Sequence, residues 1–212
     1  MANLNFIYNR KSIRKFKQDP IPREDLNQML EAATMAPSPK HQQNWHFVVI
    51  ENKDLIAKLK DVVEKSHIDI ADKAKTQEEK DAYMRLLRYY TAFANAPVTV
   101  VVYGNDYDMI EYNILKDTGI TQERVKELQS ACPEMQAVGA AVQNMLLAAT
   151  ELGYASCYLT GPSHAKNEIE KLIGFQKEGY QLRALVALGL TDDPNRKAPP
   201  RKPLEKVVTY ID

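Results

Sequence analysis

Apolar positions fall into two patterns along the chain: steps of three and four in some stretches, and short β-branched runs in others. Residues 22–35 open on Pro22, suited to a first helical turn, and place Leu26, Met29, Leu30 and Ala33 on one face. The spacing predicts a helix that stops at Ala36, because Pro37 and Pro39 cannot continue it. After the polar loop 37–44, Trp45 to Ile50 (WHFVVI) reads as a buried strand. Residues 53–66 and 77–93 read as helices, the second with Leu86, Leu87, Tyr90 and Phe93 on its apolar side. A second strand covers 97–103, starting at a proline where a missing ladder donor is tolerated. Residues 104–134 are the least regular part, with a weak helix near 109–116 and a shorter one near 121–130.

The clearest helix is 135–152. Met135, Val138, Val142, Met145, Ala149 and Leu152 form one stripe, and Ala140, Ala141, Leu147 and Ala148 make the other sides apolar. A helix apolar nearly all round is buried on more than one side. In a chain this short, that means the centre of the core or a subunit interface. A third strand, 154–159, ends in Thr160-Gly161-Pro162; a helix over 163–173 and a fourth strand over 182–190 follow. The tail from Thr191 is rich in proline and charge, and its final VVTYI has strand character. Helices set between strands of one sheet give an α+β class. No linker divides the chain, so residues 1–212 are expected to form a single domain.

Composition narrows the function. The chain has 212 residues with 28 Lys and Arg against 28 Asp and Glu. A neutral chain argues against general binding to nucleic acid or anionic membranes, which needs surplus positive charge. There is no run of 18 apolar residues and no apolar leader, so a cytoplasmic protein without a membrane span is expected. Cys132 and Cys157 are too few for a disulfide scaffold. Histidines 41, 46, 67 and 164 lack metal-type spacing, so no metal site is expected. Neither a dinucleotide G-x-G-x-x-G, a P-loop nor a G-x-S-x-G elbow is present.

Three segments carry candidate chemistry. In an extended Arg10-Lys11-Ser12-Ile13-Arg14 segment, Arg10, Ser12 and Arg14 point the same way, and two guanidiniums with a hydroxyl suit a phosphate. A solvated basic turn or a nucleic-acid patch has the same composition. The loop from Ala36 to Trp45 packs donors and acceptors between a helix and a strand, where ligand loops and plain connections both occur. The turn at Thr160-Gly161-Pro162 exposes backbone N–H groups beside a glycine, as a ligand cradle or an ordinary turn would.

In this order, the segments resemble the nitroreductase family of FMN-dependent oxidoreductases. The resemblance runs from R-x-S-x-R, through A-P-S before Gln-x-Trp, to the alanine-rich helix, the stretch L-G-x-x-S-C-x-x-T-G-P and the tail R-K-P-L-E-K-V-V. It implies an α/β sandwich with a central, mostly antiparallel sheet, and a homodimer built on the long helix with two shared FMN sites. By the resemblance, Arg10, Lys11, Ser12 and Arg14 bind the flavin, and Arg201 joins them at the phosphate. Pro37, Ser38, His41 and Gln43 reach it from the partner subunit, and Thr160 and Gly161 lie near flavin N5. Arg14 is the positive group nearest the pyrimidine edge, and Arg85 or Arg88 supplies a further polar contact. His41 stands where the family usually has Asn, and Asn44 where it usually has Pro. The implied activity is ping-pong transfer of hydride from NADH or NADPH through FMN to a small organic acceptor, with no catalytic side chain. Reductive dehalogenation, enone reduction and non-enzymatic flavin binding are the alternatives.

Overall fold

The computed structural model describes residues 4–194 and 196–211. In chain order the elements are α1 (Asn5–Asn9), α2 (Arg23–Thr34), β1 (Trp45–Ile50), α3 (Lys53–Ala71), α4 (Gln77–Met84) and α5 (Leu87–Tyr90). They continue with β2 (Val98–Asn105), α6 (Ile110–Leu115), α7 (Gln122–Gln129), α8 (Pro133–Glu151), β3 (Ala155–Leu159), α9 (Lys166–Ile173) and β4 (Tyr180–Gly189). The strands form one sheet in the order β1-β2-β4-β3, with every neighbouring pair antiparallel.

Period-two alternation divides the core between the faces of this sheet. Val98, Val100 and Val102 of β2 point to the layer of α2 and α8, where they pack with Leu26, Met29, Val142 and Met145. Val101 and Tyr103 point to the opposite layer, with Leu59 and Val63 of α3 and Ile169 of α9. The architecture is the expected sandwich of helices on both faces of an antiparallel sheet. β1 corrects one expectation: it is an edge strand, buried only at Trp45 and Ile50.

On α8 the expected stripe enters the core at Val138, Val142, Met145 and Ala149, while Met135 is 38% exposed. Ala141 also belongs to the core, 0% exposed, and not to the outer side expected of it. The outer side holds Gly139, Ala140, Leu147 and Ala148, each half-buried. A Cβ added at Gly139 would meet no atom of this chain within 4 Å.

Three other expectations change. Helix α3 runs on past residue 66 to Ala71, because His67 and Ala71 continue the three- and four-residue spacing of Ile56, Leu59 and Val63 into the core. The single helix expected over 77–93 is broken. The Tyr83 carbonyl accepts from Leu86 N at 2.9 Å and from His67 Nε2 at 3.0 Å, so a tertiary contact and a tighter turn replace the next helical bond. Residues 207–211 form no strand: they pair with no other segment among the described residues, and Val207, Val208, Tyr210 and Ile211 are exposed.

Candidate functional site

Residues Arg10 to Phe16 run extended along the outer edge of β3. Ser12 bridges Ser156 in parallel, and Ile13 N–H donates to the Ser156 carbonyl at 2.9 Å. Ile13 is buried and fixes the alternation, which turns its neighbours outward. Arg10, Ser12 and Arg14 then line a cavity of about 250 Å³ with Arg196, Lys197 and Arg201 from the tail, and Lys11, on Ile13's side of the alternation, lines it as well. None of its lining residues is acidic. The volume lies below the roughly 300–1,000 Å³ of a site for a whole drug-sized ligand, so the cavity suits one anionic end of a larger molecule.

The tail is tied in place by Lys11 Nζ donating to the Pro194 carbonyl at 3.3 Å and by a Lys17–Asp192 ion pair at 2.7 Å. Arg201 donates to the Pro199 carbonyl at 2.9 Å. Arg196 and Lys197 were not among the expected site residues. Their only signal is the basic, proline-rich run NRKAPPRK, which has the composition of a solvated tail.

Arg14 lies with its guanidinium 5.0 Å above the Tyr89 ring, and its buried Nε has no hydrogen-bond partner. Arg88 also lies over Tyr89, at 4.7 Å, and donates to its hydroxyl at 2.7 Å. Of the two arginines left open by the sequence, both exposed, Arg88 is joined to Arg14 through Tyr89. Cys157 is buried in β3, and burial pushes its thiol up against the opposing pull of Arg14 and Arg10. That makes it a core residue and not a nucleophile.

The 37–43 loop is held in part by its own side chains. Ser38 Oγ accepts from Gln43 N at 3.0 Å, and the Gln43 amide nitrogen lies 2.9 Å from His41 Nε2. An amide nitrogen only donates, which makes His41 Nε2 the acceptor. Lys40, His41 and Gln43 adopt left-handed φ values of 49°, 55° and 49°. Each costs about 1–2 kcal/mol for an L-residue, and such strain clusters at ligand-binding segments.

At the far end of β3, a Cβ added to Gly161 would lie 2.2 Å from the Tyr90 ring. Glycine is required there because an aromatic ring backs the turn.

One chain thus gathers Arg10, Lys11, Ser12, Arg14 and Arg201, with Thr160 and Gly161 in the turn that follows β3. It does not bring Pro37, Ser38, His41 and Gln43 to them. Their loop precedes β1, on the opposite edge of a sheet whose outer strands are about 14 Å apart at ordinary strand spacing. A larger cavity, about 600 Å³ between Tyr103, Phe175 and Tyr180, shares no residue with the cationic one.

The Nitroreductase family model matches residues 7–190. Among solved structures, a BluB-like flavoprotein from Clostridium difficile 630 is 38% identical, with a TM-score of 0.92 and 100% of both chains covered. A nitroreductase with bound FMN from Desulfitobacterium hafniense DCB-2 is 26% identical, with a TM-score of 0.71 and 100% of both chains covered. An iodotyrosine deiodinase from Thermotoga neapolitana is 26% identical over 202 residues, 95% of each chain.

Proposed function

The chain belongs to the nitroreductase family of oxidoreductases, and from that premise we propose that it is a homodimeric FMN enzyme, one domain over 1–212, that reduces a small organic acceptor. The observation that carries this reading is the cavity where six cationic side chains, Arg10, Lys11, Arg14, Arg196, Lys197 and Arg201, meet without a carboxylate. The residues fit FMN: the cationic pocket suits its phosphate, and the glycine turn and unpartnered Arg14 Nε leave polar groups for the rest.

Bound FMN would supply the redox chemistry, transfer of reducing equivalents from NADH or NADPH to a nitroaromatic, quinone or similar acceptor. The chain's own residues bind and orient. Arg10, Lys11, Ser12 and Arg201 hold the phosphate by charge-assisted hydrogen bonds, which are shorter and stronger than neutral ones. Arg14, backed by Tyr89, contributes fixed positive charge beside the ring system. Thr160 and Gly161 present backbone N–H groups to it. No side chain is assigned as acid or base, because water can supply protons.

The second copy completes the site. Pro37, Ser38, His41 and Gln43 lie across the sheet from the clamp, and in the proposed dimer the loop of the other copy brings them to it. The half-buried outer face of α8 and the exposed apolar tail residues Leu204, Val207, Tyr210 and Ile211 are the surfaces such a dimer would cover.

Titrating FMN into the apoprotein tests binding, and anaerobic NADH or NADPH should then bleach the flavin band. A protein that leaves FMN unbound at micromolar concentration is not this enzyme. The deiodinase-like relative, matched over 95% of both chains, supports a second reading, reductive dehalogenation at the same site. An acceptor screen with halophenols beside nitroaromatics separates the two.

A further inference from the structure

Behind the Thr160–Gly161 turn, four rings from four elements pack together. Tyr90 of α5 backs Gly161 directly. Its ring lies 5.3 Å from His67 of α3, edge to face, and 5.7 Å from His164, which sits in the tight turn Gly161–Ala165. His67 is fully buried, stacks on Tyr83 of α4 at 3.9 Å, and lies 5.5 Å from His164. Two ring nitrogens in this cluster, His67 Nδ1 and His164 Nε2, are buried without a partner.

Their partners assign the tautomers. His67 Nε2 faces the Tyr83 carbonyl at 3.0 Å and must donate, which leaves Nδ1 a bare lone pair. Ser66 Oγ donates to the His164 carbonyl at 3.2 Å and receives His164 Nδ1–H at 3.0 Å, which leaves Nε2 bare as well. A proton added at His164 Nε2 would bury a charged donor with no acceptor, close to a second imidazole.

We infer that Tyr90 and His164 are positioning residues for the Gly161 backbone, and that the ring cluster holds this turn for the flavin only while His164 is neutral. The flavin part of this inference rests on the function proposed above. The groups facing His164 are Ser66 and His67 of α3, Tyr90 of α5 and, from its own chain direction, Glu168 of α9. Burial, then His67, push its imidazole below the usual range, and Glu168 pulls weakly the other way. An unfolded imidazole takes its proton near about pH 6.5. Below that, the unfolded or opened turn gains a proton that the closed turn refuses, so acid favours opening; above it, the cluster is insensitive to pH.

Two measurements on the full chain test this. Amide exchange over 160–165, corrected for intrinsic rates, should lose about tenfold protection between pH 7.5 and 5.5. In His164→Asn, whose amide can still donate to Ser66, it should stay flat. The FMN Kd should also rise over this range. The flavin's own phosphate gains a proton near about pH 6, but that loss is common to both proteins. The reading is therefore the excess loss in the parent over His164→Asn, which approaches about tenfold as the open turn comes to predominate at pH 5.5. Equal exchange protection at both pH values in the parent overturns the inference, and so does the same pH dependence of exchange in the two proteins. Acid-sensitive exchange without excess loss of FMN overturns only its flavin part, and failure of FMN to bind at any pH overturns the function it rests on.

Discussion

The side-chain amide of Gln42 brackets the backbone of Asp108, donating to its carbonyl at 3.3 Å and accepting its N–H at 3.2 Å. Asn44, 3% exposed, reinforces the tie: its Nδ2 lies 3.3 Å from the Asn105 carbonyl and 3.4 Å from that of Asp106. Proline, the usual family residue at 44, has no such donor. The loop proposed to reach the flavin is thus latched to the start of the irregular 106–134 segment. Each net hydrogen bond is worth about 0.5–1.5 kcal/mol. Gln42→Ala should speed amide exchange over 106–116 about fivefold to a hundredfold, with β1 unchanged. Unchanged exchange there would mean that the bracket holds nothing.

The phosphate clamp gives the most direct binding test. Removing one charge-assisted contact costs about 1.5–3 kcal/mol, or roughly ten- to hundredfold in Kd. Arg10→Ala and Arg201→Ala should each weaken FMN by that factor. Arg196→Ala and Lys197→Ala, which the cavity adds, should weaken it less, because they come from one tail stretch with neighbouring cations to compensate. Unchanged affinity in both arginine variants would remove the site.

Assembly is tested on α8, where the two sides respond differently. Ala141 is fully buried within one chain, so Ala141→Glu places a carboxylate in the core and should prevent folding. Leu147 is half-buried on the outer side. Leu147→Glu should leave the circular dichroism of the fold intact while shifting sedimentation from dimer to monomer, with loss of FMN. A folded monomer that keeps stoichiometric FMN would contradict a site shared between copies.

How much of this was legible in the sequence follows from how local each signal is. The strand at Trp45–Ile50 matches its expected bounds, since a β-branched run between a polar loop and Asn52 has few other options. The Arg10–Arg14 alternation could be read because strand periodicity is a two-residue property. The break after Met84 could not be, because its cause, the His67 side chain, lies 16 residues away. Arg196 and Lys197 were also hidden. A basic, proline-rich tail looks solvated until the fold lays it against Lys11. Nor does any pattern in residues 36–45 announce three left-handed backbones, which tertiary contacts such as the Gln42–Asp108 bracket hold in place.

Two tyrosines should set an alkaline limit. Burial, then nearby Glu170, push the Tyr103 hydroxyl up to about 12. Burial, then the hydrogen bond to Asp25 at 2.5 Å, do the same for Tyr154. The unfolded phenols ionise near about 10. Both groups therefore favour the fold below that pH, and the advantage is lost as pH rises from about 10 to about 12. Urea midpoints measured from pH 8 to 11 should fall above pH 10, less steeply in Tyr154→Phe. At neutral pH only one of the two phenylalanine variants should destabilise the fold. Tyr154→Phe loses a charge-assisted bond of about 1.5–3 kcal/mol, whereas Tyr103→Phe removes a buried hydroxyl without a partner and should be neutral or stabilising.

We propose that His41, one of the two departures from the family pattern, bears on acceptor choice. It stands in a strained loop, 2.9 Å from the Gln43 amide, where the family usually has Asn. In the proposed dimer, that loop reaches the other copy's flavin, so an imidazole there lines the cleft where acceptors bind. Two readings make different predictions. If His41 faces the acceptor, His41→Asn should change kcat/KM severalfold for some acceptors and not others, while the half-reaction with NADH or NADPH stays within twofold. If His41 only braces Gln43, Asn can take over that hydrogen bond, and every acceptor should shift together or not at all. The contact to Gln43 already occupies Nε2, but it leaves Nδ1 free to meet a ligand. A selective change is therefore the expected result, and a uniform one across nitroaromatics, quinones and halophenols would assign His41 to loop structure alone.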